Sequence, residues 1–303
     1  ATGYANLCNY VIAPSESIAT ILKTRGVTSP IKAIPTGIEI DLFSEGNGKS
    51  FRRRHGIPLK AKVIGHVGRL APEKNLEFLS KAVVTAVRDK SNIHFLVVGE
   101  GPSSTQIEEL FKEQNCSGQL HLVGKQEGSN LIDAYHAMDL FVFASKTETQ
   151  GMVLAEAMAA GVPVVALDAP GTREIVTSPI NGVLIKQERI EDFSDAITSL
   201  IQSIKGDSRF LPSQVRKSIE MYSIDHCVSN LINIYNKAHR KAPKDDSFLE
   251  PWISASRFIE KEWDLISNKA SALGTAITEP VSTETKTSLL GPISNRLSNG
   301  GIQ

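Results

Sequence analysis

The strongest constraint on what this chain can fold into is its alternation of short, β-branched apolar runs with longer amphipathic stretches. Lys62–Val67 (KVIGHV) reads as a strand and Asn75–Asp89 as a helix, then Ile93–Gly99 as a strand and Ser103–Asn115 as a helix. The pattern continues through a strand at Gln119–Gly124, a helix near Ser129–Ala137, a strand at Asp139–Ser145 and a helix from Met152 to Ala160. Val162–Leu167 and Asn181–Ile185 supply two further strands. Near-continuous apolar strands belong to sheets covered on both faces, and helices between successive strands make the pairing parallel. The expected fold class is α/β, a doubly wound parallel sheet, which places ligands at the carboxyl ends of its strands.

The flanks are organised differently. Tyr10–Ala13 reads as a strand followed by a helix to Gly26, so residues 1–34 form a small separate unit. Residues 35–45 read as a linker, with Pro35 and Gly37 as breakers. The sheet domain is expected over residues 46–206, with a helix near Ile190–Ser203 after its last strand, and C-terminal helices over 207–240, one of them near Ile224–His239. Residues 241–274 have helical periodicity with Trp252, Phe258 and Trp263, and residues 275–303, rich in Ser, Thr, Gly and Asn, are expected to be disordered. The chain opens almost directly on a strand, without a methionine, which leads us to expect further sequence upstream.

Charge narrows the function classes. Lys plus Arg and Asp plus Glu both total 33, so no global field favours nucleic acid or a strongly acidic partner. Cys8, Cys116 and Cys227 lie far apart and suggest reduced thiols in a cytoplasmic protein. No apolar run reaches the length of about 18 residues that a membrane helix needs, and no signal peptide is seen. There is no Asp-x-Asp triplet and no i, i+4 histidine pair, so neither a catalytic metal nor a cofactor is indicated.

Two loops carry chemistry, each following a strand and opening a helix. In Gly65–Asn75 (GHVGRLAPEKN), Arg69 and Lys74 bring two cations to a strand end beside a helix N-terminus, a combination suited to a diphosphate. Either residue alone would pass for a solvated surface charge. In Ser145–Ala166, Glu148 lies in the loop and Glu156 inside the next helix, among Leu154, Ala155, Ala157 and Met158. An acid near a helix start can simply offset the macrodipole, but one within an Ala-rich apolar helix needs a partner or a ligand. Gly151 marks the turn, where a Cβ would obstruct a ligand, and the amides of Gly151, Met152 and Val153 point at whatever binds.

Glu148 and Glu156 form an E-x7-E pair, and PTGIEIDLF, GHVGRLAPEKN, LVVGEGP and NGVLI stand in matching order. Together they resemble the donor-site signature of retaining glycosyltransferases with the two-domain GT-B fold, of the glycosyltransferase family 4 type, over Asn6–His239. The resemblance implies a Rossmann-like C-terminal domain with a helical extension, using a nucleotide-sugar, UDP-glucose being the expected donor. It implies that Arg69 and Lys74 grip the diphosphate and that Glu156 binds the ribose hydroxyls. Glu148 and the amides of Gly151, Met152 and Val153 would hold the sugar, and Gln126 would meet the base through its backbone. The catalytic set is then Glu148, Arg69 and Lys74: the cations stabilise the leaving diphosphate and the carboxylate the developing sugar cation. Retention would follow from same-face attack, the departing phosphate taking the acceptor proton.

The resemblance also implies an N-terminal acceptor domain, of which only residues 1–34 would be a remnant, so this chain is expected to bind donor and transfer little. The TETQG loop resembles the variant in bacterial enzymes that glucosylate diacylglycerol, pointing to a lipid acceptor at the inner face of a membrane. Arg52, Arg53, Arg54, Lys60 and Lys62 read as a solvated helix face, with anionic lipid as the alternative contact. The aromatics of residues 241–274 are expected to cover the missing domain, or else to lie on a membrane. Two other classes compete. A non-catalytic nucleotide-sugar-binding module would share the site, whereas an NAD-dependent oxidoreductase would need a third glycine of GxGxxG that GHVGRLAPEKN lacks.

Overall fold

The computed structural model describes residues 2–204 and 206–241. The expected extension and tail, with Trp252, Phe258 and Trp263, lie outside the described residues.

The chain starts with a short helix α1 (Thr2–Ala5), then β1 (Val11–Ala13), α2 (Glu16–Thr24) and β2 (Ile31–Ala33). Strands β1 and β2 pair in parallel as a two-stranded sheet, and Ser15 caps α2 by accepting from the Ile18 amide at 3.3 Å. The expected linker is partly helical. Ile40–Ser44 forms α3, packed against a helix of the sheet domain, and Ile38 bridges to Ser223. Pro35 and Gly37 both precede α3, so they break the chain only ahead of it.

Next come α4 (Gly48–Arg54), β3 (Lys62–Val67), α5 (Leu76–Val87), β4 (Ile93–Val98), α6 (Ser104–Glu113), β5 (Leu120–Leu122) and α7 (Gly128–His136). They are followed by β6 (Leu140–Phe143), α8 (Met152–Ala159), β7 (Val164–Leu167), α9 (Thr172–Ile175) and β8 (Gly182–Ile185). Helices α10 (Ile190–Ser203), α11 (Pro212–Lys217) and α12 (Ile224–Lys241) close the described chain. The six strands β3–β8 form one parallel sheet in the order β5-β4-β3-β6-β7-β8.

Successive side chains on each strand enter opposite layers, as the pleat requires. Phe141 and Phe143 join Leu96, Tyr135, Leu154 and Met158 on one face. Leu140 and Val142 join Phe95, Leu79, Val83, Phe193 and Ile197 on the other. This two-sided burial is why the strands are largely apolar.

The basic run differs from the solvated face expected of it. Arg52 is largely buried: Nε donates to Ala137 O at 2.8 Å, Nη1 to Ala61 O at 3.0 Å and Nη2 to Asp139 Oδ2 at 2.9 Å. Arg54 pairs with Asp133 at 3.3 Å, and Lys62 Nζ donates to Ile201 O at 2.7 Å. Carbonyls at the starts of β3 and β6 lack strand partners there, and a five-donor guanidinium satisfies several at once. Only Arg53 and Lys60 of the five are left as exposed charges without a recorded ion pair among the described residues.

Candidate functional site

Strands β3 and β6 are neighbours although Val63 and Asp139, bonded at their starts, are 76 residues apart. From β3 the sheet runs to β4 and β5 on one side and to β6, β7 and β8 on the other. Such a switch in strand order opens a crevice beyond the carboxyl ends. A cavity of about 320 Å³ lies there, lined by His66 to Arg69, Lys74, Phe143 and Glu148 to Val153.

The structure brings Arg69, Lys74, Glu148, Gly151, Met152 and Val153 together on this one cavity. Lys74 ends a 3-10 turn, Pro72–Lys74, and its ammonium donates to Glu148 Oε1. Both side chains are mostly buried, whereas Arg69, paired with Glu73, is exposed. Asn75 then adopts φ 57° and starts α5, its amide donating to Ala144 O at 3.3 Å and to Glu188 Oε1 at 2.6 Å.

Helix α8 begins at Gly151 with no side-chain cap, so its first amides are left for an external acceptor. The reason for glycine here differs from the expected ligand clearance. Gly151 has φ 68°, and a Cβ would stand 2.9 Å from Leu154 Cδ1 and 3.3 Å from Gly171 O, that is, against protein. Gly171 (φ 76°) packs in turn beneath the loop, where a Cβ would come within 2.8 Å of Glu148 O and 3.0 Å of Gln150 N. Sequence reasoning passed over Gly171, which lies outside the motif it supports.

A second cavity, of about 380 Å³, shares Val67, Gly68 and Arg69 with the first and continues along Val98, Gly99, Glu100, Lys125, Gln126 and Leu131. Gln126 Nε2 donates to Val123 O at 2.8 Å, so its side chain is already engaged. Glu156 lines neither cavity. Its partner is the buried Tyr135, whose hydroxyl donates to Oε2 at 2.7 Å. Burial pushes the Glu156 carboxyl above its usual range against this hydrogen bond, and pushes the Tyr135 hydroxyl well up.

His66, absent from the expected site, lies on the first cavity at the end of β3. It is 1% exposed, and Nδ1 donates to Val142 O at 3.1 Å. Nε2 is buried without a hydrogen-bond partner among the described residues. Burial lowers its pKa to about 4. A histidine in an otherwise apolar strand was the available signal. A larger cavity of about 790 Å³ lies between the 38–44 segment and α11–α12, away from the strand ends that carry these groups.

This arrangement sets two cations and free amides beside a carboxylate at a strand-end crevice, a set that can neutralise a diphosphate and orient a polar group next to it. The family profile "Glycosyl transferases group 1" matches residues 48–210, more than half of the chain. The chain belongs to that family. Among relatives of this group 1 chain, a GDP-mannose-dependent alpha-mannosyltransferase of Corynebacterium glutamicum is 29% identical over 205 residues, covering 67% of this chain and 46% of the relative. An alpha-monoglucosyldiacylglycerol synthase of Streptococcus pneumoniae is 28% identical over 200 residues, covering 64% and 45%. The chain thus spans about half the length of the curated relatives it matches. The Anabaena protein HepE, solved in complex with UDP, shares the fold with a TM-score of 0.70 at 21% identity, covering 78% of this chain and 66% of that one. This chain therefore has the α/β fold of HepE. Among the described residues no helix is long and apolar enough to cross a membrane.

Proposed function

We propose that this chain is the donor-binding half of a retaining glycosyltransferase that moves a hexose, glucose from UDP-glucose in the first instance, to a hydroxyl acceptor. The observation that carries the reading is the convergence of Arg69, Lys74, Glu148 and the α8 amides on one strand-end cavity. In this reading Arg69 and Lys74 bind the diphosphate and offset its charge as the bond to sugar C1 breaks. Lost donors of this type cost about 3 kcal/mol each in oxyanion sites. Glu148 and the amides of Gly151, Met152 and Val153 hold the sugar, Gln126 meets the base from the second cavity, and Glu156 binds the ribose. The same cations remove the need for a metal, so transfer should survive a chelator.

The acceptor would be held by a second domain, and diacylglycerol is our first candidate because of the TETQG loop and the glucosyldiacylglycerol synthase relative. Transfer requires donor and acceptor within about 3–3.5 Å, so a chain holding only the donor binds without efficient turnover. Titrating the chain with UDP-glucose, GDP-mannose and NAD tests the reading. Binding of a nucleotide-sugar and not NAD is expected; preference for NAD would replace the proposal with the oxidoreductase alternative. A turnover assay on diacylglycerol, with and without EDTA, distinguishes a transferase from a binding module.

A further inference from the structure

The donor-site residues above are anionic, cationic or amide donors, and none explains the unpartnered nitrogen of His66. Because a carbonyl oxygen only accepts, the bond from Nδ1 to Val142 O fixes the proton on Nδ1. Nε2 is then a bare lone pair. A buried acceptor without a partner is costly, and native proteins rarely keep one without use. The ring is held rigidly, stacked on Phe141 and Phe143 at centroid distances of 6.2 and 6.1 Å. Above it the chain runs Gly68, where a Cβ would stand 3.5 Å from Nε2. Nε2 is itself covered here, and at Gly68 only backbone, not a side chain, stands over it, so a ligand hydroxyl reaches the lone pair by displacing that turn. The cavity that His66 lines also holds Lys74 and Glu148.

A lone pair discriminates between the parts of a nucleotide-sugar. The diphosphate of such a donor is fully ionised at neutral pH and offers acceptors only, which Nε2 would repel. Sugar hydroxyls offer O–H donors. We propose that His66 is a positioning residue whose Nε2 accepts a hydrogen bond from a hydroxyl of the bound hexose, opposite the carboxylate of Glu148. This inference rests on the donor-site reading above. It adds an uncharged acceptor to the sugar contacts already assigned to Glu148 and the α8 amides.

The test compares nucleotide with nucleotide-sugar on the 303-residue chain, using the pairs UDP/UDP-glucose and GDP/GDP-mannose and following whichever pair binds. His66→Asn keeps a donor for Val142 O and removes Nε2. It should weaken the nucleotide-sugar about tenfold, the scale of one hydrogen bond, and change the nucleotide less than twofold. His66→Gln, which can return an acceptor, should recover part of the loss. In the parent chain labelled with nitrogen-15, the Nε2 resonance should move on adding the nucleotide-sugar and not on adding the nucleotide. Equal weakening of both ligands, or an Nε2 resonance indifferent to the sugar, overturns the His66 assignment while the donor site stands. Failure of the parent to bind either pair overturns both. The resonance needs no variant, so misfolding of a substituted chain does not protect the proposal.

Discussion

Lys74 and Glu148, 74 residues apart in sequence, form a hydrogen-bonded ion pair on the wall of the strand-end cavity. The pair joins a group expected to bind phosphate to one expected to bind sugar. Each holds the other in place, and each competes for the other with ligand.

That competition makes the two residues separable. Lys74→Ala and Arg69→Ala should each weaken UDP by about 1.5–3 kcal/mol, the scale of a charge-assisted hydrogen bond, and leave uridine unaffected. Glu148→Gln should keep UDP binding, since it releases Lys74, and lose the preference for UDP-glucose over UDP. Calorimetric titration of the three ligands decides this; equal loss of uridine and UDP in the Lys74→Ala and Arg69→Ala chains would overturn the diphosphate assignment.

Glu156 carries a ligand prediction and a pH prediction. Glu156→Gln should weaken ribonucleotides by about 1–1.5 kcal/mol, the gap between charged and neutral hydrogen bonds, and 2′-deoxynucleotides much less. Its carboxyl is raised by burial, so the fold favours the protonated form. Stability from this group is present below the usual glutamate value of 4.5 and is lost as pH rises through the raised one. Melting curves should therefore show Glu156→Gln gaining on the parent between acid and neutral pH. A gap that does not change with pH would contradict the burial argument.

Arg52→Ala should destabilise the chain by about 2–4 kcal/mol, because it strands Asp139 and the carbonyls of Ala61 and Ala137. Arg53→Ala, an exposed neighbour, should change stability by less than about 0.5 kcal/mol. Denaturant midpoints for the two variants check the contrast, and similar values would return Arg52 to the solvated face first expected.

The fold should weaken on acidification. His94 Nδ1 and His121 Nε2 lie 2.9 Å apart, and burial lowers both from the usual 6.5, with His121 lowered further by His94 and His94 by Arg52. The His55 backbone hydrogen-bonds His121 and raises it, while the His55 charge lowers it. At these histidines the unfolded chain thus binds more protons than the folded one. Stability is full above 6.5 and falls as pH drops, with His66 extending the loss towards about 4. Replacing His121 by Gln should flatten the upper part of this slope in a series of melts from pH 7.5 to about 4.5; an unchanged slope would clear the pair.

Much of the sheet domain was legible because its signal is local. Strands buried on both faces announce themselves as apolar runs, and KVIGHV and DLFVFAS fall where β3 and β6 are found. The loops that line the cavity were legible for the same reason, since each joins a strand to a helix. Long-range partners were not. Arg52 reads as one of three surface arginines until Asp139 and the strand-start carbonyls fold against it. Tyr135 looks like an ordinary core aromatic, yet its hydroxyl holds Glu156. Gly171 is needed by a loop over twenty residues earlier, and nothing in its neighbours says so. The strand order itself is a matter of pairing between distant segments and leaves no mark in either one.

That strand order governs when the crevice can come into being during folding. Strand β3 can find β4 early, after one short excursion of the chain, but its other neighbour, β6, is synthesised only after β4, α6, β5 and α7. Closing so long a loop is slow, because its entropy must be surrendered before the contacts repay it. A half-zipped intermediate with β3–β5 joined would contain Lys74 and the Gln126 edge, but not the carboxylate or the amides across from them. Nucleotide capture should therefore be among the last properties a refolding chain acquires, later than its helical signal, and ligand present during refolding would act only on molecules that have already docked their second half.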